Sequence, residues 1–85
     1  MQLKIRRNDY VMTLHAEEEM DEDEFTIFDV ERALLTGHIL ERQRDRETAE
    51  SKYRVRGATV AGDPLELIAK FSPTGKLVIL TVYEP

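Results

Sequence analysis

Two histidines, a set of arginines and one dense run of carboxylates are the residues whose types could do chemistry in this chain. His15 and His38 are its only histidines and it has no cysteine. A zinc site would therefore need two further carboxylate ligands, for which no recognisable spacing exists, and neither a thiol nucleophile nor a disulfide is available. No metal site and no cofactor motif is expected. His15 sits at a strand-to-helix junction, where an imidazole serves either as a hydrogen-bonded structural group or as an acid or base near neutral pH.

From Glu17 to Glu24 the chain reads EEEMDEDE, seven acids in eight residues. Carboxylates consecutive on one helix point around it rather than converging on a cation, so a solvated acidic face is the preferred reading. Arginines gather further on. Arg42 and Arg44 share one strand face, and Arg54 and Arg56 share a face of the next strand. If those strands pair, up to four guanidiniums cluster. Such a cluster clamps phosphate in a bidentate fashion, docks the acidic helix of a second copy or of a partner, or simply guards a sheet edge by charge.

The elements that must position these groups are legible in outline. Asp9 to Leu14 is short and β-prone, and His15 to Glu24 has the composition of a first helix with Ala16 and Met20 as its inner edge. Thr26 with Asp29 forms a capping box, and Ile27, Val30, Ala33 and Leu34 repeat at helical spacing until Gly37, placed as the left-handed C-terminal residue. So short a connector makes the two helices a hairpin. Beyond Gly37 the period changes. His38 to Gln43, Tyr53 to Val60, Leu65 to Ser72 and Lys76 to Tyr83 read as strands joined by short turns, hence as antiparallel neighbours. Leu77 to Val82 is apolar on both faces and suits an interior strand, while Glu66 and Lys70 mark a solvated face on the strand before it. The expected class is α+β: an N-terminal helical hairpin on a twisted antiparallel sheet of about four strands.

With 85 residues the chain makes one domain, residues 1 to 85, and at this size a dimer or partner would add useful buried surface. No apolar run approaches the roughly 20 residues of a membrane helix, and the basic start at Lys4, Arg6 and Arg7 lacks a following apolar stretch, so a cytoplasmic location is expected. The net charge of −5 disfavours uniform nucleic-acid binding and directs attention to where the charges sit.

Leu14-His15-Ala16 with Met20, Phe25-Thr26 with Asp29-Val30-Glu31, Ala33-Leu34, Gly37, and the ending Ile79-Leu80-Thr81-Val82-Tyr83-Glu84-Pro85 together resemble the DUF4258 family, a prokaryotic domain of unknown function. The resemblance covers nearly the whole chain. That family is similar to the RelE-like superfamily of small toxins, which implies helices on a curved antiparallel sheet, RNA cleavage as the activity of the wider group and an antitoxin as partner. His15, Gly37, Thr81 and Tyr83 fall on the family's motif positions. Two positions depart from it: Glu19 stands where relatives commonly carry arginine, and Glu66 where they often carry histidine after Pro64-Leu65. Both put negative charge where phosphate would approach, which disfavours RNA there.

The expectation is thus a non-catalytic protein-interaction module related to toxin–antitoxin components, acting as a homodimer or with an antitoxin-like protein through its acidic helix or arginine hairpin. The alternative is a metal-independent ribonuclease working through 2′-hydroxyl attack, with His15 as acid or base, Arg54 and Arg56 as phosphate ligands and Tyr83 as an orienting hydroxyl.

Overall fold

The second helix is the element whose cap, apolar stripe and terminus agree most closely. In the computed structural model, which describes residues 9–44, 46–47 and 50–85, α2 spans Ile27–Thr36. Its capping box is complete: Thr26 Oγ1 accepts from the Asp29 amide at 3.2 Å, and Asp29 Oδ2 accepts from the Thr26 amide at 2.9 Å. Val30, Ala33 and Leu34 form the buried stripe. Both ends are tied to the sheet, since Asp29 Oδ1 accepts from the Val60 amide and Thr36 Oγ1 from the Ala58 amide.

α1 spans Leu14–Glu22 and turns Ala16 and Met20 inward. Thr13 is its N-cap, accepting from the Ala16 amide at 3.1 Å. It ends in a Schellman motif: the Phe25 amide bonds to the Met20 carbonyl and the Glu24 amide to that of Asp21. The residue in the left-handed region is Glu24, with φ 59°. Gly37, expected there for α2, is instead extended at φ −84°. Its need for glycine is steric. A Cβ on Gly37 would lie 2.4 Å from the Ala33 carbonyl oxygen and 2.5 Å from that of Arg56, and one on Gly57 would lie 2.1 Å from the same Ala33 oxygen. The two glycines let α2 settle directly on the sheet backbone.

Among the described residues the sheet has five strands: β1 Tyr10–Met12, β2 His38–Arg44, β3 Ser51–Ala58, β4 Pro64–Phe71 and β5 Leu77–Tyr83, in the order β1-β5-β4-β3-β2. It is mixed, not purely antiparallel. β1 runs parallel to β5, with Tyr10 opposite Leu77 and Met12 opposite Ile79, because the two helices carry the chain across before it returns. β5 is interior, as its apolar character requires, with β4 central beside it.

One face of the sheet carries Val55, Leu65, Leu67, Ala69, Leu77, Ile79 and Val82, and the helices cover it. Each large aliphatic side chain sealed there contributes about 1.5–3 kcal/mol relative to exposure. Two irregularities change register, between Ile39 and Glu41 on β2 and between Ile68 and Ala69 on β4, the second leaving Leu80 as the extra residue on β5. Lys4, Arg6, Arg7 and Asp45 lie outside the described residues. Among the described residues no helix is long and apolar enough to cross a membrane.

Candidate functional site

The sheet face turned away from the helices is where polar chemistry collects. Antiparallel pairing of β3, β4 and β5 sets Arg56, Glu66 and Tyr83 in one cross-strand row and Arg54, Ile68 and Thr81 in the next. Glu66 is the hub. Its Oε1 accepts from the Tyr83 hydroxyl at 3.0 Å and from Arg54 Nη1 at 3.1 Å, and its Oε2 lies 4.0 Å from Arg56 Nη1. Contrary to the solvated face expected for it, Glu66 is only 5% exposed, because those three side chains roof it over.

Arg54 is held from its other side by Glu41, whose Oε2 lies 3.4 Å from Nε. That Nε is buried and, although within ion-pair range, has no hydrogen bond of good geometry. Two guanidiniums and two carboxylates therefore neutralise one another within the cluster. Burial, and after it the neighbouring Glu66 carboxylate, holds the Tyr83 phenol above its ordinary pKa.

A second cluster adjoins the first. β1 stops at Met12, leaving the edge of β5 open beyond Ile79, and α1 fills it. Thr13 donates its amide to the Ile79 carbonyl and its hydroxyl to the Leu80 carbonyl, both at 3.0 Å. Glu19 follows: its Oε1 accepts from the Thr81 hydroxyl and from the Val82 amide, and lies 3.1 Å from His15 Nε2. Thr81 and Tyr83 share a strand face, so the His15–Glu19–Thr81 group and the Tyr83–Glu66–Arg54 group stand about 7 Å apart along β5.

Of the residues singled out from the sequence, Arg54, Arg56 and Tyr83 meet around Glu66, and His15 is in the neighbouring group with its side chain 69% exposed. Arg42 and Arg44 are elsewhere. β2 and β3 do pair, but the four guanidiniums do not cluster, because the irregularity at Leu40 shifts the register by one. His38 faces Arg56 and Glu41 faces Arg54, whereas Arg42 pairs with Tyr53 and Arg44 with Ser51, on the helix side. There Arg42 donates to Ser51 Oγ at 3.1 and 3.2 Å and its guanidinium lies 6.0 Å from the Tyr53 ring centroid. Sequence reasoning missed Glu66 as the centre and Glu41 as a participant, and it marks Thr81 only as a family motif position. The available signal was Glu66 itself, a lone acid within Leu65-Glu66-Leu67-Ile68-Ala69 opposite an arginine-rich strand.

In a comparison with known families, the model described as a domain of unknown function, DUF4258, matches residues 12–84. No curated protein and no solved structure matches the chain.

Proposed function

Because the chain belongs to the DUF4258 family, whose function is undefined, we propose from its own geometry that it is a non-catalytic protein-interaction module, related to toxin–antitoxin components, that binds through charged surfaces. The observation that carries this reading is the internal neutralisation of the groups a phosphoryl-transfer site would need free. Arg54 is engaged by Glu66 and Glu41, Tyr83 donates its proton to Glu66, and His15 is paired with Glu19. A phosphate approaching this face meets carboxylates already occupying the arginines. Among the described residues, charge without an ion-pair partner lies on the outer surface instead, negative on α1 and positive on β2.

A ribonuclease remains the second reading, supported by the convergence of Tyr83, Arg54 and Arg56 beside the His15 group on one sheet face. There His15 would move the 2′-hydroxyl proton and Arg54 would hold the phosphorane charge once Glu66 swung aside. A labelled single-stranded oligoribonucleotide separates the two. The interaction reading expects no turnover by wild type, together with a complex, with itself or with the product of an adjacent gene, whose affinity falls as salt rises. Cleavage by wild type that disappears in His15→Ala and Arg54→Ala would replace it with the ribonuclease.

A further inference from the structure

Two surfaces of opposite sign stand clear of the site just described. The first is a groove of about 370 Å³ between β1, α1 and the start of α2, with Met12, Met20 and Ile27 as its apolar lining and Glu17 and Asp21 at its rim. Those acids are one helical turn apart and exposed, and among the described residues no ion pair reaches either. The second is β2, exposed along its whole length. Its irregularity turns Arg42 and Arg44 onto the same side as Ile39, next to Leu40, the two apolar residues being 52% and 40% exposed. Arg42 is pre-set by Ser51 and Tyr53, and among the described residues neither arginine is in an ion pair. Ordered but uncompensated, the Arg42 guanidinium loses little freedom on meeting a carboxylate.

The spacings agree as well as the signs. Glu17 and Asp21 are separated by about 6 Å along α1, from a rise of 1.5 Å per residue. Arg42 and Arg44 are separated by about 6.6 Å along β2. An apolar pair beside two cations thus matches an apolar groove beside two anions.

We propose that the groove receives the β2 ribbon of a second copy of this chain, each protomer giving its ribbon and taking its partner's, in a two-fold dimer. The assignment rests on the interaction-module reading and names its partner. Two-fold symmetry uses each surface once and closes, whereas a one-way contact would leave a free groove and a free ribbon and extend into a filament. Burying Ile39 and Leu40 against Met12, Met20 and Ile27 supplies the apolar centre, and the four Arg–carboxylate pairs form the rim that fixes orientation.

The test is solution mass by analytical ultracentrifugation combined with charge exchange. Wild type is expected to sediment at twice 9.9 kDa in low salt, with dissociation weakening the dimer roughly tenfold or more at high salt. The pair Glu17→Lys/Asp21→Lys and the pair Arg42→Glu/Arg44→Glu should each be monomeric, every altered residue being solvent-exposed so that the fold is retained by circular dichroism. Mixing the two variants should restore both groove-to-ribbon contacts, one of the wild-type polarity and one reversed, and with them a heterodimer. A wild type that is monomeric at all salts, a dimer indifferent to either reversal, or two monomeric variants that fail to combine overturns the proposal. Monomeric wild type without RNA turnover leaves the module reading in place with a different partner, while RNA turnover removes that reading whatever the mass.

Discussion

Leu67 and Glu66 are neighbours on β4 and face opposite worlds. Leu67 is fully buried among aliphatic side chains beneath the helices, and Glu66 is 5% exposed on the face that no described element covers. The first is sealed by other elements and the second by its own polar neighbours, Arg54, Arg56 and Tyr83. The difference shows that a sheet face without helices is not thereby a solvated one. A carboxylate, two guanidiniums and a phenol can close over one another when cross-strand register stacks them in adjacent rows.

The comparison breaks most visibly on the covered side. Leu67→Ala should lower the unfolding free energy by about 3 kcal/mol, from lost transfer and a residual cavity, read as a shift in the urea midpoint. On the other face Glu66→Ala should cost about 2 kcal/mol. Stranding a buried guanidinium costs more than that, but Arg54 is 36% exposed and still has Glu41, so solvent screening reduces the penalty. A loss below about 0.5 kcal/mol, the ordinary range for surface substitutions, would mean that the open face is plain surface after all.

Much of this arrangement is legible in the chain, and the exceptions have physical causes. α2 declares itself because cap, stripe and terminus agree, and β3 to β5 because turn residues punctuate alternating apolar runs. β1 is three residues long, too short to show a period, so its parallel pairing and the mixed sheet do not emerge from pattern. The irregularity at Leu40 hides because Ile39-Leu40 reads as ordinary strand, yet that one residue sends Arg42 and Arg44 away from Arg54 and Arg56. Gly37 was legible as a required glycine but not for its reason, since close approach to Ala33 and Arg56 leaves no trace in local sequence. Glu66 carries a signal in its lonely charge, but its burial depends on long-range register.

Asp29 ties the two halves of the comparison together, since it caps α2 on the core side and holds the β3–β4 turn through the Val60 amide. Asp29→Ala should cost about 1 kcal/mol. Its hydrogen bonds, first from the Thr26 amide, hold the carboxyl below its usual range against the opposing effect of burial. The contribution is therefore complete above the unfolded carboxylate pKa, about 3.9, and is lost as pH falls through the lower folded value. In denaturation series the gap between wild type and Asp29→Ala should close below about pH 4.

The smallest effect has the opposite sign and concerns α1, the one helix that serves both faces, through Met20 inward and through Glu19 to Thr81. Its Schellman terminus requires a left-handed residue, and Glu24 fills that place at φ 59° with a Cβ that crowds the following carbonyl. Glycine removes the crowding and adds some freedom to the unfolded chain, so the two effects partly offset. Glu24→Gly should raise stability by about 0.5–1 kcal/mol, and removing one of the crowded acids from the helix end works in the same direction, because carboxylates are disfavoured at the negative pole of a helix. A neutral or destabilising result would indicate that Glu24 holds the terminus by a contact of its own rather than tolerating it, and that α1 is anchored to both faces more tightly than its backbone hydrogen bonds require.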